Sequence, residues 1–229
     1  MPERCRENSD SECTCQRETN QAHRAMFSAL LRKPAAQAAN ERSAENGRGE
    51  MTDSTSRIQD IAPEQLSTEQ KAVLEAVQAG RGFLPAPYRV WLHNAPVAER
   101  MERLGTHLNK RGLLSEREFE IAIVVVGQQL NSPYVIDAHL KALVRTGHPA
   151  EVVDAMRARL RPTFATERES VIYDIAMNTY DPQPASDELF DRATRVLGRD
   201  GLAELIVLIG YYTSVALAMK MHRVPVPQK

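Results

Sequence analysis

Cysteine is nearly absent from this 229-residue chain, and its three examples, Cys5, Cys13 and Cys15, all fall within the first fifteen residues. From Gln16 to Lys229 no disulfide can form, so the fold does not depend on an oxidising compartment. The Cys13-x-Cys15 pair has neither the spacing nor the partners of a zinc site. An excess of one charge is lacking too. With 29 basic and 30 acidic side chains the formal net charge is -1, which gives no field to draw in nucleic acid or anionic lipid. The alternating Arg157, Arg159 and Arg161 read as a solvated face easing a helix dipole rather than as a phosphate grip. No His-x-x-x-His pair, carboxylate cluster, glycine-rich loop or nucleophile motif occurs, so no metal and no cofactor is expected. The start of the chain has no apolar signal core, and Glu3, Glu7, Asp10, Glu12 and Glu18 are foreign to a mitochondrial transit peptide. A cytoplasmic protein is the expectation.

Residues 1–60 are rich in Glu, Arg, Ser, Asn and Gln and poor in large apolar groups. They cannot bury enough surface to offset chain entropy, so a disordered tail is predicted, with a transient helix around Ala22–Leu31. Met51 offers an alternative start. From Ser67 onward helix punctuation is dense. Ser67 with Gln70 forms a capping box that opens a helix through Val77, with Gly80 and Gly82 as stops. A proline-rich connection (Pro85, Pro87) leads to a helix from Pro96 to about Arg111, ended by Gly112. Ser115 with Glu118 opens a helix carrying Ile121-Ala-Ile-Val-Val-Val126. That run alone could be a buried strand, but the cap and the lack of any breaker except Gly127 favour a helix buried nearly all round.

Ser132-Pro133 reads as N-cap and first helical residue, with the helix ending at Thr146 and Gly147. Further helices are predicted at about 149–160, 166–180 (Thr166 with Glu169 as capping box), 186–197 and 202–222. Leu205–Met219 is free of charge for fifteen residues, short of the roughly 20 a membrane span needs. It reads as a core helix or an oligomer interface. The fold class expected is all-α.

Two residues stand out chemically. At 3.6 residues per turn His139 shares an apolar face with Ser132, Val135, Ile136 and Leu143, so its ring should point into the domain. A buried imidazole with a carboxylate partner can give or take a proton near neutral pH; the alternative is a core histidine satisfied by a backbone carbonyl. Glu120 precedes the apolar run and shares a face with Ile123, Val124 and Gly127. If buried it needs a partner such as His139 or an arginine; if exposed it merely complements the helix dipole. His93, His107, His148 and His222 read as structural or solvated.

Leu114–Glu120, the apolar helix after it, Asn131–His139 and the helix ending at Gly147 resemble the carboxymuconolactone decarboxylase family, which shares its fold with the alkylhydroperoxidase D-like proteins. The resemblance extends over Asn94–Met101, Phe164–Val171 and Glu204–Tyr212, and so over roughly residues 68–223. It implies a helical homo-oligomer, often a trimer or hexamer, with a small-molecule substrate and a place in aromatic compound catabolism. The hydroperoxidase branch carries Glu, then Cys-x-x-Cys, then His. Glu120 and His139 match, whereas the cysteine positions hold Ser132 and Val135, which cannot cycle between dithiol and disulfide. Thiol peroxidase activity is therefore not expected, unless Cys13 or Cys15 reached the site. The decarboxylase branch needs no thiol. By resemblance His139 is the proton donor, Glu120 orients it, and Ser132 or Tyr134 offers a hydrogen bond to a lactone acid. Val135 and Ile136 replace the polar or aromatic pair common in relatives, which makes the pocket more apolar. A non-catalytic oligomer that binds a small ligand is the competing reading.

Overall fold

The computed structural model describes residues 56–110 and 112–227. The predicted tail helix, the three cysteines and Met51 lie outside these residues. Every regular element among the described residues is helical, as expected: a 3-10 turn at Pro63–Gln65, then α1 (Thr68–Arg81), α2 (Ala86–Trp91), α3 (Ala95–Lys110), α4 (Glu116–Gln129), α5 (Pro133–Arg145), α6 (Ala150–Arg157), α7 (Glu167–Asn178) and α8 (Asp187–Met221).

The local signals set the helix starts. At Ser67, Ser115 and Thr166 the side chain accepts from the N3 backbone N–H and the N3 side chain reciprocates, so all three capping boxes form. Three features differ from expectation. Helix α1 runs through Gly80 and ends at Arg81, because Gly82 takes the left-handed conformation (φ 76°) that closes the last turn. The proline-rich connection is itself a helix, α2: Pro85 is its N-cap and Pro87 sits in the first turn, where no N–H is required. The break expected between residues 197 and 202 is a kink at Gly198 (φ 77°, ψ 167°) within α8.

Residues 56–60, which composition assigns to the tail, are tied to the domain. Arg57 N donates to the His222 carbonyl at 2.7 Å, the Gln59 carbonyl meets His93 Nε2 at 2.8 Å, and Asp60 makes two 2.6 Å hydrogen bonds with Arg89.

Helix α4 is the axis of the domain. Its residues Ile121 to Val126 are wholly buried, and it packs against α5, α7 and α8. Each Ile or Val so buried contributes about 1.5–3 kcal/mol, which explains a run that is apolar on every face. Helix α5 lies close against α4 at Gly127: a Cβ there would lie 3.1 Å from Ile136 Cγ1 and Val135 Cγ1 and 3.2 Å from the Ile136 backbone nitrogen. Glycine thus sets how near α5, which carries His139, lies to α4, which carries Glu120.

Among the described helices α8 alone is long and apolar enough to cross a membrane, and half of its most apolar window is buried inside the protein. Leu205, Leu208, Ile209, Val215 and Ala216 form part of the core, while Ile206, Val207, Leu217 and Met221 remain exposed. Both readings of the uncharged run thus keep support: one face is core, and the other is uncovered.

Candidate functional site

Glu120 is one turn inside α4 and 7% exposed, so the reading of it as a solvent-facing helix end is excluded. Helix α5 brings His139 to it. His139 Nδ1 lies 2.6 Å from Glu120 Oε2, with 18% of the His139 side chain and 9% of the Glu120 side chain accessible. The backbone-carbonyl alternative for this histidine is thereby replaced by a carboxylate partner. Because a carboxylate is only an acceptor at neutral pH, the Nδ1–H must be the donor, which leaves Nε2 free for chemistry. Among the described residues Nε2 has no hydrogen-bond partner.

Tyr212 of α8 supports the ring edge-on, with centroids 5.2 Å apart and planes at 88°. Tyr212 also meets Phe119 and Tyr211 edge-on. Burial, with Tyr211 and Glu120 nearby, pushes the Tyr212 phenol well above its ordinary range, so it stays a neutral hydroxyl beside the pair. Sequence reading gave Tyr212 no role, although a Tyr-Tyr step in a run otherwise free of aromatics was its signal.

A second buried polar cluster joins α4, α7 and the turn after α5. Arg117 donates to Glu169 Oε1 (3.0 and 3.2 Å) and to the carbonyls of Thr146 and Gly147, pinning the end of α5 to α7. His148, read from sequence as structural or solvated, is structural: its side chain is 1% exposed, and its Nδ1 lies 3.0 Å from Thr146 Oγ1. Its Nε2 is buried without a hydrogen bond, 3.7 Å from Glu169 Oε1. Burial, and then the Arg117 charge, lower its pKa, so it is a neutral histidine. Beside it Glu118 pairs with Arg168 at 2.6 Å. Burial raises that carboxyl, but hydrogen bonds from Arg168 and Ser115 outweigh it and hold the pKa below the ordinary range. Glu204, which precedes the apolar run of α8, accepts from the Leu113 and Leu114 amides at 2.6 and 3.3 Å.

The substrate-binding pair expected from sequence lies elsewhere on α5. Ser132 occupies the N-cap position, as expected, but its hydroxyl does not cap. Its ψ of 94°, against 154–165° at Ser67, Ser115 and Ser186, departs from the geometry of the capping serines. Ser132 is 1% exposed and its Oγ has no partner among the described residues. Ser132 and Tyr134 line a cleft of about 390 Å³ together with Lys220 and Arg223. A larger cleft of about 530 Å³ runs between α1 and α3, beside Val73, Ala76, Glu99 and Glu102. Neither cleft is lined by Glu120 or His139. The structure thus joins the two candidate catalytic residues to each other, and joins the two candidate binding residues to a separate opening. No group of three or more His, Cys, Asp or Glu among the described residues is placed to hold a metal.

The arginines near the end of α6 act as staples. Arg159 donates to the Gln128 carbonyl and Asn131 Oδ1, each at 3.0 Å, so it does sit on a helix C-terminus, that of α4. Arg161 pairs with Asp174.

Comparison with known proteins bears on the fold and on the middle of the chain. Residues 95–176, from the start of α3 into the last turn of α7, match the model of the Carboxymuconolactone decarboxylase family. The fold is similar to that of the debrominase Bmp8, solved as a single-substitution variant in complex with 2,3,4-tribromopyrrole: TM-score 0.61, 14% identity, 76% of this chain and 93% of that one. It is similar too to an uncharacterized peroxidase-related protein from Silicibacter sp. TM1040 (TM-score 0.60, 16% identity, 75% and 91% of the two chains). A protein of unknown function from Agrobacterium tumefaciens, related in its description to the antioxidant defence protein AhpD, gives a TM-score of 0.52 at 16% identity, over 57% of this chain and 90% of that one. At such identities the likeness is one of fold. No protein of curated function matches the sequence. The segment that carries Glu120 and His139 thus lies within the stretch that matches the family model, and the fold is alkylhydroperoxidase D-like.

Proposed function

We propose that this protein is a cofactor-independent lyase or proton-transfer enzyme acting on a small lactone or carboxylic acid, with His139 as the acid–base group and Glu120 as the residue that holds it. The single observation that supports this most is the 2.6 Å contact between His139 Nδ1 and Glu120 Oε2 in a largely water-excluded setting. A carboxylate on one ring nitrogen fixes the tautomer and the ring orientation, so the other nitrogen can carry and deliver a proton. In a decarboxylation the C–C bond to the carboxylate breaks and CO₂ leaves. The electron pair passes into the ring double bond conjugated to the lactone carbonyl, and the proton from Nε2 of the imidazolium is delivered to carbon. A general acid of this kind contributes about 10²–10⁴-fold. The resemblance gives Ser132 and Tyr134 the substrate-binding role, which on this reading requires the substrate to reach from the cleft they line to His139, a residue outside that lining.

The absence of sulfur at the two cysteine positions of the hydroperoxidase pattern weighs against a thiol peroxidase. Val135 is 1% exposed and faces the core rather than a resolving partner.

A second reading is favoured by a specific observation: the Ser132–Tyr134 cleft does not include His139. A small-ligand-binding protein without turnover needs only the cleft. The test that separates the two is a panel of lactone acids incubated with purified protein, with released CO₂ measured. The lyase reading expects release from at least one compound and its loss in His139→Ala with helical content intact by circular dichroism. Equal release by that variant removes His139 from the mechanism, and binding without release throughout supports the second reading.

The resemblance also carries a homo-oligomer, trimer or hexamer. The exposed stripe of Ile206, Val207, Leu217 and Met221 on α8 offers a contact surface for a second copy. The open space around Gly210, with no atom within 4 Å of where a Cβ would be, lets another helix approach.

A further inference from the structure

The hydrogen bond from His139 to Glu120 fixes one atom of the imidazole and leaves the tilt of the ring open. A ring tethered at Nδ1 alone rocks about the Nδ1–Oε2 line and swings the free Nε2 with it. Proton delivery requires Nε2 to be aimed at one place, so a second constraint has to come from outside the pair.

Helix α8 supplies it. Tyr211 and Tyr212 are consecutive on this helix, so their side chains leave it about 100° apart. Tyr212 turns toward α4 and α5. Its ring stands at 88° to that of His139 with centroids 5.2 Å apart, and at 89° to that of Phe119 with centroids 5.6 Å apart. Edge-to-face contacts of this kind have a preferred geometry. Among the described residues the Tyr212 hydroxyl makes no hydrogen bond to Glu120 or His139, so it is the ring that bears on the imidazole.

Tyr211 turns the other way and is keyed into α1, α2 and α3. Its ring meets Trp91 at 5.9 Å, and its hydroxyl lies 3.3 Å from that of Tyr88, which accepts from Arg81 Nη2 at 3.1 Å. Arg81 also donates to Glu102 Oε2 at 3.4 Å. The key fits because α3 carries glycine at position 105. A Cβ there would collide with the Tyr211 hydroxyl, and would lie 2.9 Å from Tyr211 Cζ and 3.1 Å from Arg81 Nη2. Tyr88, Trp91 and Tyr211 are all buried, so the phenol has no open solvent to move into. Burying hydroxyls and a guanidinium is costly unless they are bonded, and the bonds they make here hold Tyr211 in one orientation.

We propose that Tyr212 is a positioning residue for His139, setting the tilt of the ring and so the aim of Nε2, and that Tyr211, keyed against Gly105, holds Tyr212 in place. Glu120 supplies the charge and the tautomer, and the tyrosine pair supplies the direction. For turnover the inference rests on the reading of His139 as the acid–base group; the order of the ring is measurable without it.

The test compares Tyr212→Leu, Tyr212→Phe and Gly105→Ala in the full chain, by ¹³C relaxation of the His139 ring and by CO₂ release from lactone acids. The order parameter of the ring Cε1–H vector is expected at about 0.85 in the parent, at about 0.6 or less in Tyr212→Leu, and between the two in Gly105→Ala. The Nδ1-bound proton should persist in both, since Glu120 is untouched. In Tyr212→Leu, kcat should fall about tenfold or more with KM within about twofold, the pattern of lost aim and not of lost binding. Tyr212→Phe, which keeps the ring, should restore the order and most of the turnover that Tyr212→Leu loses. A merely structural role predicts a lower urea midpoint with ring order and kcat unchanged in the folded variants. That result overturns the proposal, as does Tyr212→Phe as impaired as Tyr212→Leu, or parent ring order in Gly105→Ala. The two readings fail separately. Ring disorder in Tyr212→Leu with no CO₂ from any lactone acid keeps the positioning and removes the reaction; ring order and CO₂ release both unchanged in that variant do the reverse.

Discussion

Replacing Gly127 by alanine tests whether the spacing of α4 and α5 sets the geometry of the Glu120–His139 pair. The added methyl would meet Ile136 Cγ1 and Val135 Cγ1 at 3.1 Å and the Ile136 backbone nitrogen at 3.2 Å. Side-chain rotation can relieve the first two contacts but not the third, so the α5 backbone must retreat by about 0.3 Å to reach an ordinary separation. Overpacking of this kind costs about 1–3 kcal/mol, while alanine in place of glycine inside a helix returns about 1 kcal/mol. The net expectation is a loss of about 0–2 kcal/mol in urea unfolding. His139 follows Ile136 by one turn and moves with it. If 1 Å of misplacement costs about 100-fold, 0.3 Å costs about fourfold in turnover. Urea titration and CO₂ release on the same preparations give both numbers. A variant about 1 kcal/mol more stable than the parent, with unchanged turnover, would refute the claim that α5 is clamped against α4 at this glycine.

Other consequences follow from single contacts. His148 is buried neutral with a pKa lowered from 6.5, so the unfolded chain binds the proton first as pH falls below that value. Stability is therefore lost over the window from 6.5 down to the folded-state value, and His148→Leu should show a shallower fall than the parent in unfolding experiments across that window; parallel curves would contradict it. Glu204→Ala removes the acceptor of the exposed Leu113 amide and the part-buried Leu114 amide and should cost about 0.5–1.5 kcal/mol, read by denaturant midpoint. The double variant Ile206→Glu, Leu217→Glu should elute from size exclusion as a smaller species than the parent if α8 is the oligomer contact, and at the same volume if it is not. A chain starting at Met51 should show no thiol-dependent peroxide consumption, since no cysteine remains in it.

What sequence made legible was local. The capping boxes at Ser67, Ser115 and Thr166 depend on residues three apart, and all three form as read. The inward face of α5 followed from helical periodicity: Val135 and Leu143 are core, and His139 meets Glu120. What escaped depends on residues far apart in the chain. Glu118 and Glu169 were legible as capping residues, but their second role, pairing with Arg168 and Arg117 across 50 and 52 residues, has no local signature. Ser132 had the sequence of a cap and the wrong backbone angle for one. Lys220 and Arg223 reach the start of α5 only because the C-terminal turn folds back beside it, so their place in the cleft could not be read from spacing. The helix at Ala86–Trp91 is the opposite case: Pro85 and Pro87 suggest a connection, yet prolines are tolerated at an N-cap and in a first turn, so the same residues open a helix.

The most direct test of the central claim is a ¹H–¹⁵N correlation of the imidazole nitrogens in isotopically labelled protein. An Nδ1-bound proton of His139, protected from exchange and shifted to low field, should be present in the parent and absent in Glu120→Ala. A ring that carries its proton on Nε2, or an Nδ1 signal indifferent to loss of the Glu120 carboxylate, would contradict the account.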